Sequence, residues 1–508
     1  MANDRWGYER TYNKFITVGD VAKMLWDASA YSEEIEAVSL AGTSEAYKTQ
    51  MKESYGISDD MIFADLDSVL KKEKFADAII LDKFSIKDFS VAMKILQKGY
   101  ELFFVKADEI SKQDEETKTY ATISEWLLGN FNRIVAQADD RFVVVYTDVD
   151  TDEYEKRKTE LLEDKYSFYA SNIIADNLFS TYYNDKYAIN LGYYAYENAV
   201  RVVVDENRTL FKRENENVWA KAQNVKTSLA LIGVGGEDHV AGLSCCYQLA
   251  DGSFIVIDGG WYEDYEYLYR YLNEKKISKK IIISAWIFTH NDWDHRWCFA
   301  RFMENYASKV EIEQIIFNFK FDGEDDRAVI SIAQNIPGCE IIVAHTGQKM
   351  FIRNAVIDVL YSLDSHEFAI RNNNWHSLVF TVEIDGQRTL WLGDVTEAAA
   401  TVLLKMYGDT LKSDIMQLSH HGIRNGTGLH MDNTYEMYKK IHADIVLWPN
   451  HEYNYRKVDN PSINIGMHYW NLAAMLLSKE TYFANGRGEY RVFDLPYEYG
   501  TTYKLNLQ

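Results

Sequence analysis

The chain has 508 residues, 47% hydrophobic and 26% charged, a composition that fits a globular protein of two or three domains. A net charge of −23 excludes a broad surface for nucleic acid or other polyanions. No apolar run reaches the roughly 18 residues of a membrane span, and residues 1–7 lack the apolar core of a signal peptide. Cys245, Cys246, Cys298 and Cys339 follow neither a zinc nor a disulfide spacing, so a reducing cytoplasm is the expected setting. All 12 histidines lie at or after His239. This shift places a domain boundary near residue 225 and confines histidine chemistry to the C-terminal half.

Residues 15–18, 35–40, 77–81 and 101–105 read as strands, and 20–29, 44–55, 67–75 and 86–98 as helices. Such alternation implies a parallel sheet covered by helices on both faces. The order, with Tyr55-Gly56-Ile57 and the segment from Lys98-Gly99 to Lys106, resembles the nucleotide-binding domain of the Gfo/Idh/MocA sugar dehydrogenases. That resemblance implies a Rossmann-like domain over 1–110. A dinucleotide needs a glycine-rich turn at a helix N-terminus. Here the turn keeps Gly19 alone and places Asp20 where a phosphate would sit. The domain is therefore expected to bind no NAD(P), and an oxidoreductase is disfavoured.

Residues 111–225 form a mixed α/β, tyrosine-rich connecting region. Residues 123–136 read as a helix, 141–147 as a strand and 150–164 as a charged helix. The tyrosines of 166–196 suit core or interface packing, and 200–204 reads as a strand.

From residue 226 strands are expected at 229–234, 244–249, 253–258, 281–288, 312–319, 340–344, 355–361, 377–384, 389–392, 415–418, 445–448 and 490–493. Helices are expected at 262–274, 299–307, 398–407, 435–441 and 468–478. The most informative stretch follows the apolar run 281–288: Thr289-His290-Asn291-Asp292-Trp293-Asp294-His295. A tight loop after a strand can aim His290, Asp292, Asp294 and His295 into one pocket. Two carboxylates and two imidazoles so close together require a cation.

The ordered series Gly242 to Gly260, Thr289 to His295, Gly393-Asp394 and His420-His421-Gly422 resembles the metallo-β-lactamase fold. Within it, the residues from Asn374 to Val379 and from Asp414 to Gly422 are most similar to the branch containing the hydrolase domain of the ComEC competence proteins. The resemblance implies an αββα sandwich over 226–508, so the fold class is α/β followed by α+β. It implies that His290 and Asp292 belong to one metal position and Asp294 and His295 to a second. Asp394 would bridge the two, and His420 or His421 would complete the second. Asp258 would orient a ligand from behind. One or two divalent ions (Zn, Mn or Fe) are the implied cofactors. Asp292 stands where many members have histidine, which favours a harder cation. The mid-chain histidine ligand has no clear counterpart: Asn374 is nearest in pattern, with His376 two residues on and His345 a weaker candidate. Arg296 offers either an anion contact or a plain helix-surface cation. Asn450 and His451 are candidates for substrate contact or general-acid work. His239, His366, His430, His442 and His468 read as surface or core residues.

The implied function is a metal-dependent hydrolase that attacks a phosphoester with metal-bound hydroxide, with Asp294 and His451 as catalytic residues. The alternative is a non-catalytic scaffold or binding protein with a degenerate metal site. The expected partner is a small-molecule or phosphoester substrate, without a broad nucleic-acid surface or a membrane.

Overall fold

In the computed structural model, residues 38–39, 78–81, 101–105, 131–138, 141–146, 148–206, 225–235, 241–319, 324–362, 373–395, 397–422, 432–451, 474–484, 486–498 and 503–505 are described. The chain divides into two compact units, 1–149 with 367–369 and 150–366 with 370–508. Among the described residues, no helix is long and apolar enough to cross a membrane.

In the first unit, β1 (Val38–Ser39), β2 (Ala78–Leu81) and β3 (Glu101–Val105) are parallel neighbours in that order, as the α/β alternation predicts. The expected helices and the strand at 15–18 lie outside the described residues, as do Gly19 and Asp20. One expectation is overturned. Residues 131–136, predicted as the end of a helix, belong to strand β4 (Phe131–Ala138), which pairs antiparallel with β3 and with β5 (Arg141–Tyr146). A short apolar run such as Ile134-Val135-Ala136 has no period that separates helix from strand, and the available sheet partners decide it.

The second unit opens with helix α1 (Thr151–Glu163), capped by the Asp150 carboxylate, which accepts from Asp152 N at 2.9 Å. The tyrosine-rich stretch then forms a meander of β6 (Ser167–Ile174), β7 (Asn177–Tyr183), β8 (Tyr187–Tyr194) and β9 (Ala199–Glu206). Its buried asparagines bind backbone carbonyls elsewhere in the unit. Asn177 donates to Met406 O at 2.9 Å and Asn190 to Thr346 O at 2.8 Å.

Two further sheets follow. The first is ordered β16-β15-β13-β12-β11-β10-β24-β25, with β14 (Val310–Ile312) also on β13. Its strands are β10 (Ser228–Ile232), β11 (Ser244–Gln248), β12 (Phe254–Asp258), β13 (Ile281–Ile287), β15 (Gln314–Phe317), β16 (Glu340–Val343), β24 (Tyr490–Asp494) and β25 (Tyr503–Leu505). The second runs β17-β18-β19-β20-β21-β22-β23. Its strands are β17 (Lys349–Ile352), β18 (Ala355–Tyr361), β19 (Val379–Ile384), β20 (Gln387–Trp391), β21 (Ile415–Gln417), β22 (Ile445–Trp448) and β23 (Glu480–Phe483).

Alternate residues of both sheets, among them Leu231, Tyr247, Ile257, Ile287, Val359, Phe380, Trp391 and Leu447, form one continuous inner core. The opposite face of the first sheet packs on α2 (Tyr265–Lys275), α3 (Trp293–Tyr306) and α4 (Glu324–Gln334) through Leu268, Leu272, Trp286, Phe299 and Phe302. On the second sheet, α5 (Glu397–Tyr407) contacts β18 and packs on α6 (Asp432–Ile441). The resulting layers are helix, sheet, sheet, helix, the sandwich expected for 226–508. Both sheets contain parallel strands, β12-β13-β15-β16 and β20-β21-β22-β23. The carboxyl ends of such strands are where open α/β sheets hold ligands.

Gly347, between β16 and β17, has φ +88°, and a Cβ there would stand 2.0 Å from the Phe179 ring of β7. Gly347→Ala is expected to cost at least about 2 kcal/mol in urea unfolding. In the Gly347→Ala/Phe179→Ala double variant the two losses should be less than additive, and an unchanged Gly347→Ala midpoint would count against this packing.

Candidate metal centre

Each candidate ligand sits at the C-terminal end of a strand or one turn beyond it. His290 follows β13. Asp294 and His295 lie in the first turn of α3, which begins at Trp293 rather than at the predicted 299. The helix starts inside the motif because Asp292 supplies its extended N-cap, and its carbonyl accepts from His295 N at 3.2 Å and Arg296 N at 3.1 Å. Asp394 follows β20 after Gly393, whose φ is +54°. His420 and His421 follow β21, both with left-handed backbones (φ 49° and 53°).

These segments converge on the Asp394 carboxylate. Its Oδ2 lies 3.3 Å from His295 Nε2, 3.3 Å from His421 Nε2, 3.7 Å from His290 Nε2 and 3.8 Å from His420 Nε2. Asp294 Oδ2 is 3.1 Å from His421 Nε2 and 3.8 Å from His295 Nε2. Asp292 Oδ2 is 3.6 Å from His290 Nε2. Asp394, His290, His295 and His421 are buried, whereas the side chains of Asp292 and Asp294 remain 34% and 20% exposed and mark the open side.

The outer nitrogen of three imidazoles has an acceptor. His290 Nδ1 meets Thr289 Oγ1 at 3.1 Å, His295 Nδ1 meets Asp258 Oδ2 at 2.8 Å, and His421 Nδ1 meets the Pro449 carbonyl at 3.1 Å. In the neutral tautomer that donates outward, each ring turns an Nε2 lone pair into the cluster. Asp258 is saturated in turn. Oδ1 accepts from Thr289 N and Oδ2 from Thr289 Oγ1, each at 2.7 Å.

The donor set fits divalent cations. Among the described residues, His290 Nε2, Asp394 Oδ1 and His420 Nδ1 are buried and lack a hydrogen-bond partner, a costly state unless the inward-facing atoms serve a ligand. His295 Nε2 and His421 Nε2 stand 3.1 Å apart. Two imidazole nitrogens sharing one tetrahedral cation at about 2.1 Å would stand about 3.4 Å apart. The compact ligand groups are His290-His295-Asp394 and Asp294-His295-His421. His295 thus lies between two potential positions, and Asp292 and Asp394 approach His290 Nε2 about equally, at 3.6 and 3.7 Å.

The carboxylates of the cluster shift its imidazoles in the direction opposite to burial. Burial opposes the His295 imidazolium, yet Asp394, Asp294 and Asp258 carry its pKa well above the ordinary imidazole value. Burial likewise opposes charge on His421, but Asp394 and Asp294 push its pKa up to about 9. Burial dominates at His420 and lowers its pKa. Burial would raise the Asp394 pKa, but His421, His295, His290 and His420 outweigh it and hold the carboxyl well below its usual range.

Other candidates fall into place around this core. The segment after residue 372 brings Asn374 Nδ2 to 3.2 Å from His420 Nε2, while half-buried His376 closes the same 3-10 turn. His345 is no ligand here: its Nε2 is bound to the Asp205 carboxylate of β9 and its Nδ1 lies 3.3 Å from Asn318. Arg296 is not a surface cation. It is buried, and its Nε donates to Asn291 O at 2.8 Å, fastening the motif loop. Asn450 is also turned inward, its amide donating to the His421 carbonyl at 3.0 Å, so it serves the ligand's backbone rather than a substrate. His451 is half-buried, one residue further along, and its backbone N–H donates to Asn450 Oδ1 at 2.8 Å. His442 ends α6; His239, His366, His430 and His468 lie outside the described residues.

Sequence reasoning missed the supports Thr289, Ser377, Gln417 and Trp448. Ser377 Oγ accepts from Asp394 N at 2.9 Å, and Gln417 Nε2 donates to Gly393 O at 3.0 Å. A signal existed for Gln417, a polar residue in an otherwise apolar buried strand.

No family model matches the chain, and no curated protein matches it in sequence. Solved structures resemble it over about half its length. The metallo-β-lactamase fold protein YhfI from Bacillus subtilis is 13% identical, with a TM-score of 0.34 over 51% of this chain and 98% of its own. A diphosphatase from the PhnP family is 15% identical, with a TM-score of 0.31 over 46% of this chain and 93% of its own. MEM-A1, a subclass B3 metallo-β-lactamase from a soil metagenome library, is 11% identical, with a TM-score of 0.26 over 40% of this chain and 83% of its own.

A cation must displace the proton that the metal-free cluster holds on His421. Cation affinity is therefore expected to rise with pH through about 9. Calorimetry near pH 7, in buffers of different ionisation enthalpy, should show net proton release on binding. Binding without proton release would contradict this protonation state.

Proposed function

We propose that the chain is a metal-dependent hydrolase that cleaves a phosphoester. The observation that carries this reading is the ring of four imidazole Nε2 atoms 3.3–3.8 Å from one Asp394 oxygen, bordered by Asp292 and Asp294. In it His290, Asp292, Asp294, His295, Asp394, His420 and His421 supply the candidate ligands. Bound divalent cations would supply Lewis-acid polarisation of the ester and a lowered pKa for water.

The chain's own residues supply orientation and proton handling. Asp258 and Thr289 fix His295 and His290, and Pro449 fixes His421. Asp294 stands on the open side, where a carboxylate can accept the proton of an attacking water. The N-terminus of α3 beside it favours the negative charge of a phosphoryl group. His451, on the loop that also carries Asn450, is the candidate donor to the leaving oxygen. The carboxylate content of the ligand set favours a hard cation, which suits a phosphate oxygen.

The test is metal analysis of the purified protein, followed by hydrolysis of bis(p-nitrophenyl) phosphate with added Mn²⁺ or Zn²⁺. Asp394→Ala should lower cation content and reduce turnover by more than about 100-fold. A metal-loaded wild-type protein that hydrolyses neither phosphomonoesters nor phosphodiesters sinks the reading.

A further inference from the structure

Residues 448–450, just beyond the inner core at the end of β22, converge on His421. The His421 carbonyl accepts the Trp448 indole N–H at 2.7 Å and the Asn450 amide at 3.0 Å. The Pro449 carbonyl faces His421 Nδ1 at 3.1 Å. Gly422 lies under Trp448, where a Cβ would come within 2.4 Å of the indole. Three consecutive residues thus fix both the peptide and the ring of one histidine.

The geometry needs such a clamp. His420 and His421 are consecutive non-glycine residues in the left-handed region, a strained conformation that persists only when its surroundings impose it. The two donors on its carbonyl hold the peptide after His421, and the Pro449 carbonyl holds the ring whose Nε2 faces His295 and Asp294. The clamp itself is rigid. Trp448 is fully buried and stacks on Phe483 with ring centroids 5.0 Å apart. Asn450 Oδ1 accepts His451 N at 2.8 Å, which aims the amide nitrogen at His421.

We propose that Trp448 and Asn450 are positioning residues for cation binding through His421, touching neither cation nor substrate. This rests on the cation-binding part of the proposed function and not on the reaction. Trp448→Phe keeps the ring and removes its N–H, and Asn450→Asp keeps the shape but replaces the donor by an acceptor. The full-length protein is loaded with Co²⁺; affinity is read by chelator competition and ligand geometry by the visible absorption of the bound ion. Tyr407→Phe is the control, because it loses a buried hydrogen bond (Tyr407 Oη to Leu360 O, 2.7 Å) elsewhere.

Trp448→Phe and Asn450→Asp are each expected to weaken Co²⁺ binding by about 10–100-fold and to alter its spectrum. Tyr407→Phe should leave both unchanged while lowering the metal-free Tm to a similar degree. Wild-type affinity and spectrum in both clamp variants, or equal weakening in the control, overturn the proposal. A wild type that binds Co²⁺ but cleaves no phosphoester refutes the hydrolase alone. A wild type that binds no Co²⁺ refutes both.

Discussion

The Asp258 carboxylate is the interaction from which the centre is built. It is fully buried at the end of β12, and it accepts from the backbone and the hydroxyl of Thr289 while facing His295 Nδ1. One side chain therefore sets the distance between two parallel strands and the first turn of α3. Its own backbone is left-handed (φ 55°), and its carbonyl takes the Trp286 indole N–H at 2.6 Å. A buried carboxylate without such partners would be strongly destabilising. With them it fixes the direction of His295, which belongs to both compact ligand groups.

From there the other ligand segments are tied backbone to backbone. Leu378 N donates to Thr289 O at 2.7 Å, and His420 N donates to Gly393 O at 3.0 Å. Ser377 holds Asp394 N, and Gln417 bridges Leu392 N and Gly393 O. Of these bonds, Leu378 N to Thr289 O joins the two sheets and the others tie neighbouring strands of the second sheet, so the ligands are held by main chain that the apolar core keeps fixed. Gly393 belongs to the same joint: a Cβ there would stand 3.0 Å from Ser377 Oγ and from Thr289 Cβ. Rigidity of this kind is what a coordination site needs, since small displacements of a ligand cost much of its affinity.

Much of this was legible in the sequence for a physical reason. Ligand-forming residues at strand ends cluster along the chain, and the strands before them are apolar enough to be read as buried. His290, Asp292, Asp294 and His295 stand out by residue type and density after an apolar run, whereas Asp394 and the His420-His421 pair enter only through the resemblance to the metallo-β-lactamase fold. What could not be read depended on tertiary geometry. His345 carries the same side chain as a ligand, but Asp205, 140 residues earlier, takes its Nε2. Arg296 reads as an anion contact or a surface cation, and Asn450 as a substrate contact, until the fold turns them onto main-chain carbonyls. The early start of α3 was missed because Trp293-Asp294-His295-Arg296 has no strong helix signal of its own. Residues 131–136 were misread because a few apolar residues carry no period, and sheet pairing decided their conformation.

The charge balance gives the centre its order of events in the hydrolase reading. Asp258, Asp292, Asp294 and Asp394 crowd into a chain whose net charge is already −23. Such a field draws divalent cations and repels a phosphoester. On the proposed hydrolase reading, bound cations would reverse the local sign before an anionic substrate approaches. The same carboxylates raise the pKa of His295 and His421 against the opposing effect of burial.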